Sequence, residues 1–195
     1  MKRLISTLFA LGLMATGASA ATVNYNFQAG GPNGSSVSYT SGGVDLTVSS
    51  GGGNVAVTNN GLGVTGNPEG GRLGLGESLT FDFGGILVDQ ISGLVFEAGP
   101  QAEQFGVIIN GVSTLFTVPA GLGNSFTTLN FSSLIPTGGV SSFTIFGVQP
   151  NAPGNRGVKV GGITVNAINI PPVPLPAGGA LLLTGLGLLA LRRRR

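Results

Sequence analysis

The 195-residue chain contains no cysteine, no histidine and no tryptophan, and only 8% of its residues are charged. Each shortage removes a class of chemistry. Without cysteine there is no disulfide framework, no thiolate nucleophile and no thiolate metal site. A domain of this size can do without disulfides if its apolar core is large enough. Without histidine the commonest general base and the commonest transition-metal ligand are both missing. With no tryptophan, Tyr25 and Tyr39 are the only large amphipathic rings available for stacking on a sugar.

The overall net charge of +2 conceals an uneven distribution. Lys2, Arg3 and Arg192 to Arg195 lie at the two ends. Between them stand three bases (Arg72, Arg156, Lys159) and seven acids (Asp45, Glu69, Glu77, Asp82, Asp89, Glu97, Glu103), so the middle carries −4. A mildly acidic domain without basic clusters has no electrostatic footprint for nucleic acid.

The ends have their own logic. Residues 1–20 read as a secretory signal peptide that would form a short helix. Lys2 and Arg3 supply the charged start, Leu4 to Gly17 the apolar run, and Ala18-Ser19-Ala20 the small-x-small pattern, with cleavage expected after Ala20. At the other end, Ala180 to Leu191 holds seven leucines and no charge. At about −0.5 kcal/mol each, the leucines favour membrane insertion by on the order of 4 kcal/mol, less the cost of Thr184 and two glycines. As a helix, residues 177–191 would span roughly 22 Å against about 30 Å of hydrocarbon, a mismatch that snorkelling by Arg192 and bilayer thinning can absorb. Residues 178–195 are therefore expected to form a single transmembrane helix with its arginine cluster. By the positive-inside rule Arg192, Arg193, Arg194 and Arg195 stay cytoplasmic, as do Lys2 and Arg3, so the middle is translocated. Residues 170–177 precede the helix with four prolines, at 171, 172, 174 and 176, which favours an extended linker open to a protease.

Val173-Pro174-Leu175-Pro176-Ala177, the short apolar helix and the terminal arginines, in that order over about 23 residues, resemble the VPLPA-CTERM sorting signal. That signal is a variant of the PEP-CTERM class handled by exosortase-type membrane proteases in Gram-negative bacteria. The present chain has Leu-Pro-Ala where PEP-CTERM proper has Glu-Pro. The resemblance implies export through the Sec machinery, transient anchoring in the inner membrane, cleavage by an exosortase-type protease near the motif, and delivery to the cell surface or the extracellular matrix of a biofilm.

Residues 21–169 are rich in Gly, Ser, Thr, Asn and Val and show period-two alternation rather than helical spacing. Val23, Tyr25 and Phe27 alternate, as do Val44, Leu46 and Val48, then Leu79, Phe81 and Phe83. GLVFEA (93–98) is more continuously apolar, as in a strand buried on both faces. Asn110-Gly111 between two β-prone runs predicts a two-residue type I′ hairpin. Ten or eleven short strands at hairpin spacing imply an all-β, antiparallel sandwich or jelly roll with most of the eleven phenylalanines inside. The segment 61–85 also loosely resembles a stretch common in exported PEP-CTERM domains, which names no activity.

Candidate chemistry is thin. Lys159 is the sole candidate base for a Ser–Lys dyad, although it reads more simply as a solvated charge opening the last strand. Glu69, Glu77, Asp82, Asp89, Glu97 and Glu103 are the carboxylates from which a glycosidase pair would have to be drawn. Asp82, between Phe81 and Phe83, should face solvent. Glu69 and Glu77 flank a loop near Asn67, with Asp45 elsewhere, which is compatible with one structural calcium ion though no D-x-D-x-D loop exists. Otherwise these acids keep the domain soluble. Gly61, Gly63 and Gly66 match G-x-G-x-x-G, but GNPEGG downstream cannot be the required helix. The expectation is a non-enzymatic surface or matrix protein without a cofactor. A glycan-binding module of an exopolysaccharide matrix is the alternative and a hydrolase the weakest reading.

Overall fold

Strands form where apolar side chains alternate. The computed structural model describes residues 19–66, 71–97, 102–119, 125–148 and 157–170. The expected signal sequence up to Ala18 and the segment from Pro171 through the sorting motif to Arg195 lie outside the described residues. Among the described residues no helix is long and apolar enough to cross a membrane.

Twelve strands run in chain order: β1 (Ser19–Asn26), β2 (Ser36–Ser41), β3 (Val44–Gly51), β4 (Val55–Thr58), β5 (Gly61–Val64) and β6 (Ser78–Asp82). They continue with β7 (Val88–Glu97), β8 (Glu103–Ile109), β9 (Val112–Val118), β10 (Ser125–Asn130), β11 (Ser142–Gly147) and β12 (Lys159–Ile170). A single 3-10 turn, Ser132–Leu134, is the helical element among the described residues. The strands form two six-stranded antiparallel sheets. The first is ordered β10-β7-β12-β5-β4, with β1 also paired to β12. The second is ordered β2-β3-β6-β11-β8-β9.

The alternation read from sequence sets which faces meet. Val23, Tyr25 and Phe27 from the first sheet are buried with Val44, Leu46, Val48, Leu79, Phe81 and Phe83 from the second in one core, the interior of a β-sandwich. Rings from opposite sheets touch: Tyr25 and Phe83 centroids are 6.4 Å apart, Phe27 and Phe81 6.2 Å. Tyr25 Oη also crosses the interior to donate to the Val44 carbonyl at 3.0 Å. The core residues lie between Val23 and Ala167, so Ser19–Ile170 carries a core of its own. Seven of the eleven phenylalanines (Phe27, Phe81, Phe83, Phe96, Phe105, Phe131, Phe143) are buried.

The hairpin at Asn110-Gly111 is as predicted. Both residues have positive φ, +50° and +77°, as a type I′ turn requires, and Ile109 pairs with Val112. Strand β7 lies between β10 and β12; Gly93, Val95 and Phe96 are buried, but Leu94 is only partly so, and the burial on both faces expected of GLVFEA holds in part.

Candidate functional site

The charged residues fall into two groups, and one of them departs from expectation. Asp82 is exposed beside buried Phe81 and Phe83 and accepts a hydrogen bond from Gly84 N at 2.9 Å, as its place in the alternation implied. Asp45 is exposed and accepts from Thr40 Oγ1 at 2.6 Å. Asp89 accepts from Asn166 Nδ2 at 2.7 Å. The others are not solvated. Glu77 is buried and accepts from Gly74 N at 2.7 Å. Glu103 is fully buried and accepts from Gly157 N at 2.6 Å. Arg72, also buried, donates to the Gly157 carbonyl at 3.3 Å. These groups tie loops to strands by charge-assisted hydrogen bonds rather than conferring solubility. Glu69, Asn67, Arg156 and the Glu97 side chain lie outside the described residues.

Lys159 opens β12 as expected, but its side chain is buried rather than solvated. Burial, reinforced by the nearby Arg72 charge, lowers its pKa. Its partner is a threonine: Nζ lies 3.2 Å from Thr58 Oγ1. Thr58 Oγ1 in turn donates its proton to the Gly61 carbonyl at 2.8 Å. The amine is therefore the donor in the pair, and the hydroxyl proton points to a carbonyl. A general base must instead accept that proton.

No group of three or more Asp or Glu side chains is placed to hold a metal among the described residues. The glycines of GLGV (61–64) form β5, not a phosphate loop. A Cβ on Gly63 would run into the Gly71 carbonyl oxygen, and one on Gly61, where φ is +113°, into that of Val160. These glycines allow backbones to approach closely.

The most distinctive polar surface is the outer face of the first sheet. Val23 and Tyr25 point inward, so Thr22, Asn24 and Asn26 of β1 point outward. Register then lines up neutral side chains across strands. One row is Asn130, Ser92, Thr164, Asn24 on β10, β7, β12 and β1. The next is Gln90, Asn166, Thr22 on β7, β12 and β1. A third is Thr128, Leu94, Gly162, Asn26, again across four strands. None of these eleven residues carries a charge; the Asp89 carboxylate beside the second row is engaged by Asn166.

Several of the amides are held by their oxygens. Asn24 Oδ1 accepts from Thr164 Oγ1 at 2.6 Å, Asn26 Oδ1 from Gln28 N at 2.9 Å, and Asn130 Oδ1 from Ser132 N at 2.8 Å. Their orientation is thereby set, and their Nδ2 groups are left as donors for solvent or a ligand. The third row borders a cleft of about 220 Å³ walled by Asn26, Gln28, Ser92, Thr128 and Thr164 together with Leu94 and Ile163, with Gly161 and Gly162 along it. A register shift in β12 between Val160 and Gly162 accompanies the depression. Two further clefts, about 420 Å³ beside the Asn110-Gly111 turn and about 380 Å³ along residues 30–38, also lack acidic or basic side chains.

Sequence reading did not find this face. Asn24 and Thr164 are 140 residues apart, and only the pairing of β1 with β12 brings them together.

No family model matches the chain, and no curated protein matches it in sequence. Among solved structures the chain is similar to an exo-β-1,3-galactanase from Phanerochaete chrysosporium with galactose, at 20% identity and a TM-score of 0.35, over 76% of this chain and 29% of that one. Two variants of that enzyme with β-1,3-galactotriose are similar at 22% identity, with TM-scores of 0.37 and 0.36 over 75% and 76% of this chain. The chain spans 29% of the length of that enzyme, and a likeness this slight says nothing of activity.

Proposed function

We propose that this chain is an exported, non-enzymatic surface or matrix protein whose β-sandwich adheres to neutral polysaccharide through the outer face of its first sheet. The observation that carries the reading is the set of two aligned rows of Asn, Gln, Ser and Thr and a third, mixed row of Thr128, Leu94, Gly162 and Asn26 that borders a cleft. Neutral polyols present closely spaced donors and acceptors and no charge. Oriented amides and hydroxyls can meet them without removing an ion from water. The geometry supports a long, shallow contact with an extended chain, made of many modest hydrogen bonds.

Export rests on the two terminal segments, with the Sec machinery, an exosortase-type protease and the inner membrane as the partners they imply. Mass spectrometry of the mature protein from cells and medium tests this half. Termini at Ala21 and near Pro176 are expected; an intact chain retained in the cytosol overturns it. Pairing of β1 with β12 runs from Ala21 opposite Ala167, beyond a register shift, so cleavage after Ala20 removes only the Ser19–Ile170 pair from this ladder.

Binding of residues 19–170 to an array of neutral and acidic polysaccharides tests the adhesive half. Binding to neutral glycans is expected, unchanged by chelator, and weakened at least tenfold by the pair Asn24→Ala and Thr164→Ala. Binding to no glycan, or binding untouched by the double change, overturns it. Loss of binding on chelation would instead favour the calcium-assisted form of the reading.

A further inference from the structure

The two sheets end in five outer edges, β10, β4 and β1 in the first and β2 and β9 in the second, and the chain treats them differently. At β1 the Asn24 carbonyl accepts from Ser41 Oγ of β2 at 2.8 Å. The β4 edge is closed by its own chain: Gly34 and Val55 exchange backbone hydrogen bonds at 3.2 and 2.7 Å, and Val57 N donates to Asn33 Oδ1 at 2.9 Å. The β2 edge has the exposed carboxylate of Asp45 one strand in, opposite Thr40. At the β10 edge, Ser125 lies opposite Glu97. At the β9 edge Glu103, opposite Val118, also stands one strand in, but its side chain is fully buried and leaves the edge itself without a charge. From Gln104 to Val118 the β8–β9 hairpin has no charged residue and no proline, and its register runs without a shift. Charges, prolines and bulges are the usual protections of a sheet edge.

Among the described residues this hairpin also holds three of the four large apolar side chains that are conspicuously exposed: Ile108 at 36%, Val112 at 59% and Leu115 at 60%. The fourth, Leu75 at 60%, bridges to Gly147 at the end of β11, the strand next to β8. On the outer face, Phe146 lies over Gly106, where any Cβ would strike its ring, and Gly106 is the partner of Leu115. Phe146, Leu115 and Ile108 therefore form one apolar strip reaching the edge.

The register defines what the edge offers. The two-residue turn makes Ile109 and Val112 a hydrogen-bonded pair, and pairs alternate from there. The N–H and C=O groups of Ser113, Leu115 and Thr117 thus point away from β8. Leu115 is the midpoint of Val112–Val118. We propose that a second copy of this chain pairs antiparallel along β9 about a twofold axis at Leu115, joining two six-stranded sheets into one of twelve strands. Charge does not oppose this route. Residues 21–169 carry a net −4, so two copies approach with charge of the same sign. Along this hairpin they meet without like-charge contact. The pairing covers both copies of Leu115 and satisfies the same backbone groups on each, as a self-complementary interface must.

The absence of native cysteine supplies the test. In a hydrogen-bonded antiparallel pair the two Leu115 Cα atoms would lie about 5.5 Å apart. The full chain carrying Leu115→Cys is treated with a short bis-maleimide and compared with Thr47→Cys, an exposed site on the same sheet away from the edge. Covalent dimer from Leu115→Cys and monomer from Thr47→Cys are expected. In sedimentation of residues 19–170, Leu115→Lys is expected to weaken association at least tenfold. Failure of Leu115→Cys to cross-link, equal cross-linking at Thr47→Cys, or undiminished association of Leu115→Lys overturns the proposal.

Discussion

Tyr25 joins the two sheets, and its titration can be followed almost alone. Its ring is 4% exposed, and its hydroxyl donates to the Val44 carbonyl at 3.0 Å. Burial, with a smaller contribution from the negative charge of Asp45, pushes its pKa from 10.0 up to about 12. The folded state thus disfavours the phenolate. The stabilisation is fully present below about pH 10, the unfolded value, and is lost as pH rises from there through about 12. At about 1.36 kcal/mol per unit, an elevation of this size is worth roughly 2–3 kcal/mol across that window. Tyr25→Phe removes the titration and also the cross-sheet hydrogen bond, at a cost of about 1 kcal/mol at neutral pH. Denaturant melts from pH 8 to 12 should therefore show wild type the more stable at neutral pH, with the gap closing and then reversing as the medium becomes alkaline. With Tyr39 the only other tyrosine and no tryptophan, the phenolate absorbance of Tyr39→Phe reports Tyr25 alone. An ordinary phenol titration in that variant while the domain remains folded, or parallel pH curves for wild type and Tyr25→Phe, would refute the reasoning.

Other perturbations have equally definite outcomes. Gly63→Ala sets a methyl group against the Gly71 carbonyl oxygen and should cost about 2–3 kcal/mol in a urea melt, whereas Gly43→Ala, in open space, should be limited to the strain of its +77° φ. Glu103→Ala leaves Gly157 N without its buried acceptor and should destabilise by about 2–3 kcal/mol, and Glu103→Gln by less, because an amide oxygen can still accept. Replacing Arg192 to Arg195 with neutral residues should loosen cytoplasmic retention of the tail, seen as altered accessibility in a protease-protection assay. Unchanged topology would show that the arginines do not set it.

The strands were legible because burial on one face imposes period two, and Val44, Leu46 and Val48 obey it without exception. The Asn110-Gly111 turn was legible because few sequences tolerate two successive positive φ values. Twelve strands appear where ten or eleven were counted, and GLGV as a fully buried strand accounts for part of the difference. Glycine in a strand gives no alternation to detect. The buried charges were misread for another reason. Glu103 meets Gly157 across 54 residues and Lys159 meets Thr58 across 101. A charge looks solvated in sequence unless its partner is in view. The polar face of the first sheet was hidden similarly, since its rows are assembled from β10, β7, β12 and β1 and exist only once register is known.

The pairing of β1 with β12 has a mechanical consequence. Ser19 and Ile170 are opposite partners, so the described unit is entered and left at the same end of one antiparallel ladder. Tension applied between those two points loads the rungs one after another, from Ala21–Ala167 toward Asn26–Gly162, instead of shearing all of them at once. Such a unit yields at low force when stretched by its own ends. Held by a single end, with the opposing load on its outer face, it meets that load with its packed interior.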